Sequence, residues 1–109
     1  MRFSAGKYII REFENENGIS LYREWLGKLD FKFQARIQAR ILRFQNGNLG
    51  DVKSVGGGVW EAKLDFGPGF RVYFGFEGKE LILLLMGGDK SSQKKDIKKA
   101  QEIWAKEEK

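Results

Sequence analysis

The chain has 109 residues, including 20 Lys or Arg and 15 Asp or Glu, and its formal net charge is +5 at pH 7. It contains no Cys and no His, which excludes a disulfide framework, a metal site built on thiolate or imidazole, and a Ser-His-Asp triad. Hydrophobic residues make up 41% of the chain, so we expect one domain over residues 1–109. The longest apolar run, residues 81–86, is far shorter than the roughly 20 residues of a membrane-spanning helix, and we expect a cytoplasmic protein without a membrane partner.

The first half of the chain predicts a short strand followed by a helical hairpin. The strand pattern covers residues 7–13. Ser20 can cap a helix over residues 21–28, and Asp30 can cap a second helix that runs to about Asn46. The second helix has an apolar face, which carries Phe33, Ile37, Ile41 and Phe44. We expect this face to pack against a sheet.

The second half of the chain predicts that sheet and a last helix. Residues 48–58 are rich in glycine and predict a connection, and a Gly87-Gly88 pair is expected to end the last strand. Between these points, apolar residues at every second position predict antiparallel strands over residues 59–66, 70–76 and 81–86. A last helix is expected from about residue 92 to 106. The result is a two-layer α+β domain with an antiparallel sheet packed against the helical hairpin. The strand residues expected to face the hairpin are Trp60, Leu64, Phe70, Val72 and Phe74.

The opposite, outward face of the predicted sheet carries the side chains that are best suited to bind a ligand or to take part in a reaction. Glu61 and Lys63 project there from one strand, Arg71 and Tyr73 from the next, and Lys90 lies just before the last helix. Phosphate is bound well by three kinds of donor that occur here: a guanidinium fork, ammonium groups and the free N–H groups at the start of a helix. We therefore expect a phosphate-binding patch, with an ordinary solvated sheet face as the alternative.

The second predicted helix also has a basic stripe, which consists of Lys32, Arg36, Arg40 and Arg43. The helix contains no acidic residue beside this stripe. Such a stripe favours contact with nucleic acid or with an acidic partner, and a solvated helix face is the alternative. The lysines of the last helix, which include Lys94, are interrupted by Asp96 and followed by Glu102, so we expect them mostly at the solvated surface.

Two long segments resemble a known family. These are GNLGDVKSVGGGVWEAKLDFGPGFRVYF at residues 47–74 and LLLMGGDKSSQKKDIKKAQEIW at residues 83–104. They are similar to the phage-derived, HigB-like addiction module killer proteins of the RelE/ParE toxin superfamily. The resemblance implies a RelE-like fold and a toxin of a type II toxin–antitoxin system, with a small helix-turn-helix antitoxin as partner and a higher-order complex of the two as one form. Many relatives cleave mRNA in the ribosomal A site without a metal or cofactor, which makes the ribosome and mRNA further expected partners.

The resemblance also implies which residues act in cleavage. The working basic residues of the mRNA-cleaving relatives correspond here to Lys63, Arg71 and Lys90, and many members of this group have Arg at the position of Lys63. The RNA 2′-OH attacks its own phosphodiester in this chemistry, so we expect Arg71 to stabilise the phosphorane and Lys90 to protonate the leaving oxygen or clamp phosphate. Lys63 is one candidate for the general base, and Glu61 and Asp65 are the others.

Further residues are expected to bind RNA without taking part in the chemical step. Tyr73 is expected to stack on a splayed base, and phosphate contacts are expected from Arg36, Arg40, Arg43 and Lys94. Two alternatives stay open at this point. One is a DNA gyrase poison of the ParE branch, and the other is a non-catalytic family member that only binds its antitoxin and operator DNA.

Overall fold

The computed structural model describes residues 7–107, which form a five-stranded sheet, three α-helices and one 3₁₀ turn. In chain order the elements are β1 (Ile9–Glu12), α1 (Leu21–Gly27), α2 (Phe31–Gln45), β2 (Val52–Gly56), β3 (Val59–Leu64), β4 (Phe70–Glu77), β5 (Leu81–Asp89), the turn Lys90–Ser92 and α3 (Gln93–Glu107). The predicted α+β class, with a sheet packed on a helical hairpin and a C-terminal helix, is confirmed. None of the helices within residues 7–107 is long and apolar enough to cross a membrane.

The two helices of the hairpin begin at the predicted caps. The Ser20 side chain accepts a hydrogen bond from the Arg23 N–H, and the Asp30 carboxylate accepts one from the Lys32 N–H. These bonds satisfy N–H groups that have no partner inside a helix. The chain leaves α2 through Gly47, whose φ of +83° is a conformation that suits glycine.

The strand order in the sheet is β1-β5-β4-β3-β2. The neighbours β5-β4-β3-β2 are antiparallel as predicted, whereas β1 pairs with β5 in parallel. The prediction of a mere connection over residues 48–58 is wrong, because Val52–Gly56 forms the edge strand β2. Glycine composition concealed this strand, since β2 ends at Gly56 and the next two glycines form the turn into β3, all three with positive φ.

The face of the sheet toward the hairpin forms the main core, as predicted. Leu64, Phe70, Val72 and Phe74 are buried there, and Trp60 is partly buried against them. Aromatic contacts join the two layers at both ends of α2. The Phe33 and Phe70 ring centroids are 5.1 Å apart, and those of Phe44 and Phe74 are also 5.1 Å apart.

The opposite face of the sheet is covered over part of its area by α3. Ala100 and Trp104 of α3 pack on Val59, Tyr73 and neighbouring residues of β5 in a second hydrophobic cluster. The expectation that this face is open is therefore wrong for its central part. A Cβ on Gly75 of β4 would lie 2.5 Å from the Trp104 ring, so the helix approaches the sheet where β4 has no side chain.

Candidate functional site

The candidate site lies on the α3 side of the sheet, at the end of the β3–β4 hairpin. Lys63 of β3 is directly opposite Arg71 of β4, and Arg71 is opposite Gly88 of β5. The register therefore puts the two cations side by side on one face, and Lys90 follows the end of β5. Together with Asp65 and the turn at residues 66–69, the three cations line a shallow depression of about 340 Å³.

Arg71 is built into the wall of this depression. Its side chain donates a hydrogen bond from Nη1 to the Gly69 carbonyl at 2.7 Å, and its Nε lies 3.9 Å from Glu61 Oε2. The residue is only 6% exposed, so the expectation of a solvent-facing side chain is wrong. Its Nε is buried and forms no hydrogen bond within the described part of the chain. The hydrogen bond to Gly69 and the burial of the side chain hold the guanidinium in place without a ligand.

Glu61 is a buried carboxylate behind Arg71, with 1% of the residue exposed. Its Oε2 accepts a hydrogen bond of 2.8 Å from Gln93 Nε2 at the start of α3, and Lys53 Nζ of β2 lies 3.9 Å from Oε1. The prediction of Glu61 as a candidate base that meets substrate is wrong in this conformation, because α3 covers it. The carboxylate instead joins β2, β4 and α3 around Arg71. Sequence reasoning missed this role of Gln93.

Tyr73 is also covered by α3 and is fully buried. The prediction that it stacks on an RNA base is therefore wrong. Burial raises the pKa of its phenol, and the nearby Glu61 and Asp96 carboxylates raise that pKa further. The Tyr73 hydroxyl forms no hydrogen bond with the residues that the structure describes.

Lys63 and Lys90 are the exposed cations of the site. Lys63 Nζ lies 3.6 Å from Asp65 Oδ1, a surface ion pair that stays open to solvent. Lys90 belongs to the 3₁₀ turn, which Asp89 caps by accepting hydrogen bonds from the Ser91 N–H at 2.9 Å and the Ser91 hydroxyl at 2.5 Å. These hydrogen bonds lower the pKa of Asp89. Lys94 is exposed on α3 but does not line the depression.

The basic stripe of α2 divides into one buried and three exposed side chains. Arg40 is buried, and its guanidinium donates hydrogen bonds of 2.9–3.0 Å to the carbonyls of Leu49, Asp51 and Lys63. The prediction that Arg40 binds RNA phosphates is therefore wrong, because its donors hold the segment before β2 and the end of β3. Burial lowers the pKa of Arg40, and the charge of Arg43 lowers it further. The exposed cations are Lys32, Arg36 and Arg43.

Arg36 and Arg43 line a second depression, of about 300 Å³, next to the first, and the buried Arg40 forms part of its wall. The Arg36 guanidinium lies 3.9 Å from the centroid of the Phe66 ring, which holds it over the β3–β4 turn. Asp65 and Phe66 line both depressions. The two cationic surfaces therefore meet at this turn.

The chain combines an α+β layout with a depression lined by three cations. The family model described as Phage derived protein Gp49-like (DUF891) matches residues 24–105, and the chain belongs to this phage-derived, RelE-like toxin family. The chain is also 49% identical over 81 residues to an uncharacterized protein of Haemophilus influenzae, an alignment that covers 73% of this chain and 82% of the relative. The residues of the candidate site all lie within the segment that the family model matches.

Proposed function

We propose that the protein is a HigB-like toxin of a type II toxin–antitoxin system that cleaves mRNA on the ribosome, with a small helix-turn-helix protein as its antitoxin. The observation that carries the proposal is the convergence of Lys63, Arg71 and Lys90 on one depression. Three cations around a shallow, open surface suit a phosphodiester in an extended RNA strand. Membership of a toxin-like family supports the same class of activity.

The proposed reaction uses the RNA as its own nucleophile. The 2′-oxygen forms a bond to phosphorus, and the bond from phosphorus to the 5′-oxygen breaks. The products are a 2′,3′-cyclic phosphate and a 5′-hydroxyl. Arg71 is positioned by Gly69 and Glu61 to stabilise the phosphorane, and Lys63 adds a second positive charge beside it.

Proton transfer is assigned to two exposed groups of the depression. Asp65 lines the depression, whereas the Glu61 carboxylate is buried behind Arg71. We therefore assign Asp65 the role of the general base, which accepts the proton of the 2′-hydroxyl. Lys90 follows the end of β5, the strand on the other side of Arg71 from Lys63, and lines the same depression, so we assign it the proton that the leaving 5′-oxygen receives. The RNA continues over the turn at Phe66 toward Arg36 and Arg43, whose contacts are to phosphate.

The test is cleavage of mRNA in a cell-free translation reaction to which the purified protein is added. Primer extension should show new 5′ ends inside the coding region, and the upstream fragments should end in 2′,3′-cyclic phosphate. A message with a 2′-deoxynucleotide at the cleavage position should stay intact there, because the nucleophile is missing. Cleavage of that deoxy position at the ordinary rate would contradict the mechanism. Intact message together with inhibited DNA supercoiling by gyrase would replace the proposal with gyrase poisoning.

A further inference from the structure

The ring of Phe66 lies at the turn between β3 and β4, where the two depressions meet. Phe33 of α2 stacks on this ring with centroids 5.9 Å apart and 28° between the planes, and Phe70 of β4 meets it edge-on at 5.6 Å. A Cβ on Gly67 would lie 3.0 Å from the rings of both Phe33 and Phe70, so the turn is packed against them. These contacts fix the orientation of a ring that is only partly buried.

Arg36 of α2 lies against the Phe66 ring. Its guanidinium carbon is 3.9 Å from the ring centroid, which is the distance of a cation in contact with an aromatic face. Arg36 is exposed, and its side chain forms no hydrogen bond or salt bridge with another residue in the range 7–107. A guanidinium is planar and its N–H groups lie in the plane. Contact with Phe66 on one face therefore leaves the other face and the N–H groups at the edge available to a ligand.

A planar cation held on an aromatic ring is suited to an unpaired base of RNA. Such bases stack on guanidinium planes as well as on aromatic side chains, while the in-plane N–H groups stay free to bind phosphate. We infer that the Arg36 guanidinium, supported by Phe66, is the surface on which a base next to the cleaved bond stacks. This pair supplies the stacking surface that was expected from Tyr73, which α3 buries.

The proposed reaction indicates which base this is, and to that extent the inference rests on the proposed function. Asp65, the assigned general base, precedes Phe66 in the chain and lines both depressions, whereas Lys90 lines only the first. The 2′-hydroxyl that Asp65 deprotonates belongs to the nucleotide on the 5′ side of the cleaved bond. The base of that nucleotide is therefore the one beside Arg36. A purine offers a larger ring area for stacking than a pyrimidine, so Arg36 favours a purine at this position.

The first experiment measures binding to two oligonucleotides of about twelve units, a length that spans the site sizes typical of single-stranded nucleic acids. One is a backbone of abasic tetrahydrofuran sugars, and the other is the same backbone with a single central 2′-deoxyadenosine. The two have the same charge and no 2′-hydroxyl, so neither is cleaved. Fluorescence anisotropy gives both affinities, and their ratio reports base stacking, because the contribution of the phosphates cancels.

Two variants and two controls are compared. Arg36→Lys keeps the charge and loses the planar group, and Phe66→Leu removes the ring beneath it. The control for a lost aromatic ring is Phe31→Leu, since Phe31 is 80% exposed on the same helix. The control for the exchange of arginine by lysine is Arg11→Lys, on the edge strand β1. The free energy of unfolding is measured for Phe66→Leu as well, because its ring also contacts the core.

In the unaltered protein the single adenine should raise the affinity about tenfold. Arg36→Lys should remove this gain and keep the affinity for the abasic backbone within about twofold, because the positive charge is retained. Phe66→Leu should reduce the gain, and both control variants should keep it. In the cleavage reaction, Arg36→Lys should also abolish the preference for a purine at the nucleotide that supplies the 2′-hydroxyl, without changing any preference at the nucleotide on the 3′ side.

Three results would overturn the inference. An unchanged adenine gain in Arg36→Lys would show that the guanidinium packs on Phe66 only as part of the fold. Loss of the gain in Phe31→Leu would assign base stacking to another part of α2, and a changed preference on the 3′ side alone would contradict the assigned position. Since binding is measured without cleavage, a protein that shows the adenine gain and loses it in Arg36→Lys, but leaves mRNA intact, would contradict the proposed function only.

Discussion

A Cβ atom on Gly88 would lie 2.0 Å from Asp96 Oδ2, so β5 and α3 approach each other at a point that only glycine permits. On the other face of the same strand, a Cβ on Gly87 would lie 2.2 Å from the Trp25 ring. The two glycines therefore let a helix approach each face of the sheet. Asp96 also accepts a hydrogen bond from the Ser92 hydroxyl at 2.5 Å, which ties the first turn of α3 to the site.

Gly88→Ala should damage both stability and activity. The added methyl group must displace the buried Asp96 carboxylate, which disrupts its hydrogen bond from the Ser92 hydroxyl next to Lys90 and the site. We expect a loss of about 2 kcal/mol in the free energy of unfolding, typical of overpacking in a close-packed interior. Urea unfolding followed by tryptophan fluorescence checks this value. Gly27→Ala at the end of α1 is the control, because no atom lies within 4 Å of its added Cβ, and its stability should not fall.

Arg40→Ala should destabilise the fold rather than weaken RNA binding selectively. The substitution leaves the carbonyls of Leu49, Asp51 and Lys63 without their donors. We expect a loss of about 3 kcal/mol or more, because these hydrogen bonds come from a buried charged group. Arg43→Ala, on the exposed side of the same helix, should change stability by less than about 0.5 kcal/mol. Equal unfolding midpoints for the two variants would contradict the structural role of Arg40.

Tyr73→Phe should leave the fold intact or make it more stable. The Tyr73 hydroxyl is buried without a hydrogen bond to any described residue, so its removal relieves an uncompensated polar group. The ring and its contacts with α3 are kept. Thermal unfolding and the cleavage assay together check this expectation. A large loss of cleavage with unchanged stability would instead show that the hydroxyl takes part in the reaction.

Stability should decrease at alkaline pH through Tyr22. Burial raises the pKa of Tyr22 to about 12, above the value near 10 of an unfolded tyrosine. Because the folded pKa is the higher one, the contribution to stability is complete below about pH 10 and is lost as the pH rises toward about 12. Tyr22→Phe should reduce this part of the alkaline loss when unfolding free energies are measured across that range. An unchanged pH profile in the variant would contradict it.

The sequence was sufficient for the parts of the fold that depend on periodicity and caps. The apolar stripe of α2 and the alternation in β3 and β4 identified the main core, and Ser20 and Asp30 marked the helix starts correctly. The prediction that Gly87 and Gly88 end the last strand is wrong, since β5 continues to Asp89. Glycine there reflects the close approach of Trp25 and Asp96, and a single sequence does not distinguish that cause from a turn.

The candidate site was predicted in part. Strand alternation put Lys63 and Arg71 on one face correctly, because pleating fixes side-chain direction. Alternation does not reveal what covers that face, and so Glu61 and Tyr73 were expected in solvent although α3 buries them. In the same way, helical spacing grouped Arg40 with Arg36 and Arg43, but the segment before β2 folds over Arg40 alone. Burial of a charged residue depends on packing between distant segments, and local pattern carries no signal of it.

If Arg71 and Lys90 act on RNA in the depression, the rate of single-turnover cleavage on saturating translating ribosomes depends on both side chains. Lys90→Ala is compared with Lys106→Ala, another exposed lysine at the far end of α3, and Arg71→Ala with Arg71→Lys. Arg71→Ala should lower the cleavage rate about a hundredfold, and Arg71→Lys should restore part of it, because lysine keeps the charge without the fork. The free energy of unfolding of Arg71→Ala is measured as well, because this substitution also removes the guanidinium beside the buried Glu61 carboxylate. Lys90→Ala should lower the rate with unchanged stability, and Lys106→Ala should have no effect. Cleavage at the unaltered rate in both Lys90→Ala and Arg71→Ala would show that the reaction does not take place in this depression.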